Sequence, residues 1–114
     1  MEPKKLYICH PYSSPDLVIQ EQRFESANRE AAKFIDDGHI VFSPVSMSHP
    51  IAKYLGNAND SQFWVKQDLA FIEWADEVVV VCAPGWAHSK GIMAEVEYAG
   101  LRGKPVRYVG VSND

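Results

Sequence analysis

Short apolar runs alternate along this chain with longer segments in which apolar side chains recur every three or four positions. The short runs predict four strands, at residues 6–9, 39–42, 78–82 and 106–109. The longer segments predict three helices, at residues 15–36, 60–74 and 89–102. This alternation predicts an α/β domain of the flavodoxin-like (Rossmann-like) kind, with helices on both faces of a parallel sheet of four or five strands.

Turn and cap signals set the expected element ends. Ser14 is predicted to cap the first helix with Pro15 at its first position, and Gly38 is predicted to end it after Asp37. The Ser/Pro/Asn/Gly-rich segment 43–59 is predicted to be a long functional loop containing a helical turn or two. Asn59 or Asp60 can cap the helix that follows.

The start of the third predicted helix carries candidate chemistry. Ser89 and Gly91 lie where a helix N-terminus presents unpaired N–H groups, which favour an anion. Glu95 follows Gly91 by four residues on the same face, about 6 Å along the axis, roughly the span from a 5′-phosphate to a ribose anomeric carbon. The buried stripe of this helix is predicted to comprise Ile92, Val96 and Ala99, with Glu95 at its edge and Glu97 facing solvent. The alternative is that Ser89 and Gly91 form only a helix cap and turn, and that Glu95 is a surface residue at the edge of the core.

A second carboxylate, Asp68, occupies a similar border position on the second helix. Trp64, Asp68 and Phe71 recur at helical spacing beside a predicted core stripe of Val65, Leu69 and Ile72. An acid between aromatic rings suits a flat, proton-accepting ligand such as a nucleobase, and an apolar border raises a carboxyl pKa toward that of a general acid. The alternative is a solvated Asp68 beside core aromatics.

Ligands of doubly wound sheets lie beyond the carboxyl ends of the strands, where the strand order reverses. If the first and third strands are neighbours, residues 10–14 (the first loop) and 83–89 (the second loop) flank that crevice, and Tyr7 reaches its floor. The candidate catalytic residues are Glu95 and Asp68, and Tyr7 is either a core residue or part of the pocket. The candidate substrate-binding residues are His10, Tyr12, Ser13, Ser14, Trp64, Trp86, Ser89 and Gly91.

Length and charge narrow the classes of function. The 114 residues predict a single domain, 1–114, and the net charge of −4 without a basic run argues against polymeric nucleic acid as a partner. No apolar stretch is long enough for a membrane span or a signal peptide, so we expect no membrane partner and a cytoplasmic location. Cys9 and Cys82 are expected to be reduced, buried thiols. The histidine and cysteine spacing predicts no metal site, and no cofactor is expected.

The motifs together resemble a known group. They are Leu-Tyr-Ile at 6–8, Gln-Asp-Leu at 67–69, Trp-Ala-Asp-Glu-Val-Val-Val at 74–80 and Ser-x-Gly-x-x-x-Glu-x-x-x-Ala at 89–99. This layout resembles the nucleoside 2-deoxyribosyltransferase superfamily over nearly the whole chain. It is most similar to the 2′-deoxynucleoside 5′-phosphate N-hydrolase branch and to small phage-associated domains with His-Pro-Tyr-Ser and Gly-Trp-x-x-Ser motifs.

The resemblance implies cleavage of the base–sugar bond of a nucleoside 5′-monophosphate, with Asp68 assisting the departing base and Tyr7 orienting Glu95. In this resemblance Glu95 is either the nucleophile at C1′ or its electrostatic partner. Ser89 and Gly91 would hold the phosphate. The first loop lacks the Gly/Arg-rich composition of the hydrolases, so Arg23 is either the missing charge or an ordinary exposed residue.

Two other functions stay open, namely base exchange by a deoxyribosyltransferase and non-catalytic nucleotide binding. In each case the partner is a small nucleotide or nucleoside. A homodimer or larger homo-oligomer is expected, because a small domain often completes its site with a neighbour.

Overall fold

The computed structural model describes residues 2–56 and 61–111. In these residues the elements, in chain order, are β1 (Lys5–Cys9), α1 (Leu17–Asp36), β2 (Ile40–Phe42), α2 (Pro44–Ala52), α3 (Ser61–Trp74), β3 (Glu77–Val81), α4 (Lys90–Leu101) and β4 (Val106–Val109). A short 3-10 turn, Trp86–His88, precedes α4. The four strands are all parallel, in the order β2-β1-β3-β4, so the predicted α/β sheet is confirmed with four strands.

The sheet buries a separate apolar cluster on each face. Alternate strand residues point to opposite faces, so β1 sends Tyr7 and Cys9 to one side and Leu6 and Ile8 to the other. The first side is covered by α3 and α4, and the second by α1, whose Phe34 packs on it. The four consecutive valines of β3 are fully buried, as expected of a central strand with both faces covered.

The predicted start of α1 was wrong by two residues. The cap is Asp16, whose Oδ1 accepts the N–H of Val18 at 2.8 Å, and the helix begins at Leu17. Ser14 lies outside the helix, where its Oγ accepts the N–H of Asp16 at 3.1 Å. An aspartate caps as well as a serine, and it stands next to the first helical residue. The predicted end is confirmed, because Gly38 follows Asp37 with φ of +98°.

Segment 43–59 was predicted to be mainly loop, and this was wrong for its first part. A nine-residue helix, α2, begins at Pro44 directly after β2 and buries Pro44 and Val45. Proline suits a first helical position because its missing N–H would have no partner there. The Ser/Pro composition therefore marked a helix start. The caps predicted at Asn59 or Asp60 lie outside the described residues.

The stripe predicted for α3 is partly wrong. Ile72 is fully buried and Leu69 is half-buried, but Val65 is 37 % exposed, so the core contact of α3 comes from its second half. The stripe predicted for α4 is confirmed, with Ile92 and Ala99 buried, Val96 packed on the core and Glu97 exposed.

The two cysteines differ in their surroundings. Both thiols are free, and Cys9 is fully buried at the end of β1 as expected. Cys82 is only half-buried, because β3 ends at Val81 and Cys82 is the first residue beyond it.

The neighbouring positions of β1 and β3 create the expected crevice. Tyr7 pairs with Val78 and Cys9 with Val80, so both strands end at the same edge of the sheet. The first loop leaves the end of β1 and the second loop leaves the end of β3. Because β2 lies on the other side of β1, the order of connections reverses at this point, as in other ligand-binding α/β sheets.

Candidate active site

A hydrogen bond between the sheet and α4 forms the centre of the site. The phenol of Tyr7 donates to Oε2 of Glu95 at 2.5 Å. Tyr7 is fully buried on β1, facing the helices, and Glu95 is half-buried on α4. The predicted contact between these two residues is thus present, although they are 88 residues apart in the chain.

Cys9 is a neighbour of this pair that sequence reasoning missed. It lies two residues after Tyr7 on the same face of β1, and its thiol forms a hydrogen bond with the carboxyl of Glu95. Burial raises the pKa of this thiol well above its ordinary value, as do the negative charges of Glu95 and Asp68. Cys9 is therefore a neutral donor to Glu95. The sequence signal that could have predicted this role is the spacing of Cys9 two residues after Tyr7, which places both side chains on one face of a strand.

Burial is the main influence on Glu95. The pKa of this carboxyl is about 8, because burial and, to a smaller extent, the negative charge of Asp68 raise it more than the hydrogen bonds from Tyr7 and Cys9 lower it. The pKa of Tyr7 is raised well above its ordinary value by burial and then by the charges of Glu95 and Asp68. Near neutral pH the phenol therefore stays protonated and remains a donor.

Asp68 belongs to the same electrostatic environment. Burial raises its pKa to about 6, and its charge affects the pKa values of Tyr7, Cys9 and Glu95. The expectation that Asp68 lies at an apolar border is confirmed by its half-buried position on α3. Two carboxyl groups with raised and unequal pKa values are typical of acid–base chemistry.

The aromatic neighbours predicted for Asp68 are arranged differently. Phe71 stacks on Phe42 with ring centroids 3.7 Å apart and is part of the core cluster. Trp64 is half-buried and meets Phe63 edge to face at 5.3 Å. Phe71 therefore supports the sheet, which leaves Trp64 as the aromatic candidate for a base beside Asp68.

The start of α4 is built as predicted. Ser89 caps the helix, its Oγ accepting the N–H of Ile92 at 3.2 Å. Gly91 is exposed, and a Cβ added there would meet only the Oγ of Ser89, at 3.8 Å. Since this space is open, a ligand can approach the backbone at Gly91. Trp86, half-buried in the second loop, packs against Tyr108 with ring centroids 5.6 Å apart.

The predicted binding residues of the first loop contact helices α1 and α2 and the loop itself. His10 is buried, with Nδ1 2.7 Å from the carbonyl oxygen of Pro11 and Nε2 2.8 Å from Oγ of Ser26, and burial lowers its pKa. The hydroxyl of Tyr12 lies 2.7 Å from Nδ1 of His49 on α2. These two rings therefore anchor the loop within the part of the chain that the structure describes.

The two serines of this loop also have local roles. Ser13 offers its carbonyl oxygen to Nη1 of Arg23 at 2.8 Å, and the Oγ of Ser14 accepts the N–H of Asp16. The structure thus joins Glu95, Tyr7 and Cys9 directly and places Asp68 in the same electrostatic environment. Among the described contacts of His10, Tyr12, Ser13 and Ser14, none is with Glu95 or Asp68.

Residues 2–56 and 61–111 lack two kinds of feature. They contain no group of three or more His, Cys, Asp or Glu side chains placed to hold a metal ion. No helix among them has the length and apolar character needed to cross a bilayer.

Comparison with known proteins identifies the family. A family model described as "Domain of unknown function (DUF1937)" matches residues 4–111, nearly the whole chain. The chain belongs to this family. No protein with a curated description matches the sequence.

A solved structure is similar in fold to the DUF1937 chain. It is a 2-deoxyribosyltransferase from the psychrotolerant bacterium Bacillus psychrosaccharolyticus, with a TM-score of 0.69 and 23 % sequence identity. The match covers 96 % of the DUF1937 chain and 74 % of the other. The resemblance to the deoxyribosyltransferase superfamily is therefore confirmed at the level of the fold.

Replacing Tyr7 by phenylalanine tests the geometry of the site directly. The hydrogen bond from Tyr7 favours the ionised form of Glu95, so Tyr7→Phe should raise the pKa of Glu95 above its value of about 8 in the parent. The measurement is a pH titration of ¹³C-carboxyl-labelled glutamate by NMR, with the Glu95 signal assigned by its loss in Glu95→Gln.

Tyr98→Phe is the matched control for that titration. Tyr98 on α4 donates to Oε1 of Glu73 on α3 at 2.7 Å, so it forms a second tyrosine–glutamate pair elsewhere in the protein. This control should leave the Glu95 titration unchanged. An unchanged Glu95 titration in Tyr7→Phe would mean that the phenol does not stabilise the carboxylate.

Proposed function

We propose that this chain is an N-glycosidase that cleaves the base–sugar bond of a nucleoside or deoxynucleoside 5′-monophosphate through a Glu95 nucleophile. The observation that carries the proposal is the hydrogen bond from Tyr7 to Glu95, with Asp68 in the same low-dielectric environment. The fold shared with a 2-deoxyribosyltransferase adds support for chemistry at the glycosidic bond.

Two carboxyl groups can divide the work of the first step. The Glu95 carboxylate attacks C1′, the C1′–N bond breaks through an oxocarbenium-like transition state, and the departing nitrogen takes a proton from Asp68. The products of this step are the free base and a glycosyl ester on Glu95. Charge is balanced, because the carboxylate loses its charge to the new ester and Asp68 becomes ionised.

Water completes the reaction in the second step. The Asp68 carboxylate accepts a proton from water as the oxygen bonds to C1′, and the ester bond to Glu95 breaks. The sugar phosphate leaves, and both carboxyl groups return to their starting forms. Tyr7 and Cys9 act as positioning residues, because their donors hold the carboxyl of Glu95 in one orientation through both steps.

The unequal pKa values bear on where the proton lies before reaction. Because the pKa of Glu95, about 8, exceeds that of Asp68, about 6, Glu95 is protonated and Asp68 is ionised between these pH values in the free protein. Attack requires this proton on Asp68. Positive charge developing at C1′ stabilises the Glu95 carboxylate and so favours the required arrangement in the transition state.

The alternative function, base exchange, has the same first step. A second base, in place of water, then attacks C1′ of the glycosyl ester. The solved structure of similar fold is a 2-deoxyribosyltransferase, and this favours the alternative. Product analysis with an added base separates the two, since exchange yields a new nucleoside or nucleotide and hydrolysis yields free sugar or sugar phosphate.

The central experiment compares Glu95→Gln with Glu97→Gln. Glu97 is exposed on the same helix, two residues away, and so controls for the loss of a carboxylate from α4. The purified proteins are incubated with ribo- and deoxyribonucleosides and their monophosphates, and free base is measured by chromatography. Glu95→Gln should lower base release by more than about 10³-fold, because it removes the nucleophile, while Glu97→Gln should match the parent.

Turnover retained in a folded Glu95→Gln variant would contradict the mechanism. If the parent binds nucleotides but releases no base from any of these substrates, the chain is a non-catalytic nucleotide-binding module.

The pKa values of the two carboxyl groups also predict a pH profile. Below about pH 6 both groups are protonated and Glu95 cannot attack, whereas above about pH 8 both are ionised and no acid protonates the base. The value of kcat/KM should therefore be bell-shaped, with its maximum near neutral pH. It is measured across roughly pH 5 to 9 on a natural substrate.

Asp68→Asn provides the comparison for this profile. It should be about 10²–10⁴-fold slower, and its alkaline decline should disappear, because only the ionisation of Glu95 remains. If the parent's rate instead rises steadily through pH 8, Asp68 is not the acid.

A further inference from the structure

Arg23 links the two loops that flank the crevice. From α1 its guanidinium donates through Nη1 to the carbonyl oxygen of Ser13, at 2.8 Å, and through Nη2 to that of Pro84, at 3.5 Å. Ser13 belongs to the first loop and Pro84 to the second. The side chain is half-buried, so Arg23 is not the ordinary exposed helical residue that its position in the sequence allowed.

A glycine makes room for this guanidinium. Gly85 has φ of +92°, and a Cβ there would lie 2.7 Å from Nη2 of Arg23. The chain then passes through the turn Trp86–His88 to Ser89, the cap of α4. The cation therefore sits against the loop that leads directly into the helix carrying Glu95.

The charge of Arg23 has no carboxylate partner within residues 2–56 and 61–111, where its acceptors are two neutral carbonyl oxygens. By contrast, Arg102 pairs with Glu73 and Arg107 with Glu77. A guanidinium has more N–H donors than two carbonyls use. Arg23 thus keeps both charge and donors for an anion, and its positive charge helps to lower the pKa of the neighbouring His10.

We propose that Arg23 binds the 5′-phosphate of the substrate and makes this chain selective for phosphorylated sugars. The inference rests on the proposed function for the identity of the substrate. Arg23 fits this role because guanidinium donors match phosphate oxygens and because the first loop, His-Pro-Tyr-Ser-Ser, contains no cation of its own besides its buried histidine. The phosphate would then lie between the two loops, with its sugar directed toward Glu95.

Binding of a base-free probe tests the proposal without requiring turnover. The probe is 2-deoxyribose 5-phosphate, with 2-deoxyribose as its unphosphorylated counterpart, and binding is measured by calorimetry or NMR titration. The parent should bind the phosphorylated probe more tightly. Arg23→Gln should weaken that binding about 10- to 100-fold, as expected for the loss of a charge-assisted hydrogen bond, and should leave 2-deoxyribose binding unchanged.

Two further variants separate phosphate binding from a purely structural link between the loops. Arg23→Lys keeps the positive charge but cannot reach both carbonyl oxygens, so it should bind the phosphorylated probe better than Arg23→Gln. Arg29→Gln is the matched control, because Arg29 is exposed on α1 and its charge also affects His10, yet it makes no described contact with either loop. This control should bind like the parent.

The outcomes decide the inference independently of catalysis. It is overturned if the parent shows no preference for the phosphorylated probe, if Arg23→Gln binds like the parent, or if Arg23→Lys and Arg23→Gln lose binding equally. If Arg23→Gln does not fold, near-parent binding by Arg23→Lys supports the inference and its loss overturns it. A parent that binds the phosphorylated probe selectively but cleaves no nucleotide would contradict the proposed function and leave the role of Arg23 standing.

Discussion

The site depends on one interaction, the hydrogen bond from the buried phenol of Tyr7 to the carboxyl group of Glu95. The phenol of Tyr7 comes from the core of the sheet, and Glu95 must turn inward from α4 to meet it. Burial raises the pKa of Glu95 to about 8, above the value of an unfolded chain, so the folded state loses stability as pH rises between those two values. The fold tolerates this because Tyr7 and Cys9 offset part of the desolvation.

The parallel sheet supplies this arrangement through its strand order. Because β1 and β3 are neighbours, the strand that carries Tyr7 ends beside the loop that begins α4. Elsewhere, α3 is secured at its end by Lys104, whose Nζ donates to the carbonyl oxygens of Glu73 and Ala75 at 2.9 and 2.8 Å. These two hydrogen bonds hold α3, which carries Asp68, against the sheet. Lys104 itself makes them at the end of the helix and not beside Glu95.

Periodicity and local spacing predicted the parts of this structure that are periodic or local. The four strands, the Ser89 cap and the inward side of α4 follow from alternation and helical spacing, which is how Glu95 could be found. Local competition misled the prediction at α1, where Asp16 and Ser14 were both able to cap. Contacts between distant segments, such as those of Arg23 with both loops, depend on how elements pack, and no local pattern encodes them.

The central claim is that Glu95 forms a bond to the sugar, and the most direct test is to look for that bond. The protein is mixed with a deoxynucleoside monophosphate, quenched in acid and digested, and its peptides are analysed by mass spectrometry. The account predicts a peptide heavier by one deoxyribosyl phosphate group, with the modification at Glu95, and none when Glu95 is glutamine. Base release with no adduct at any quench time, or with an adduct on another residue such as Asp68, would contradict it.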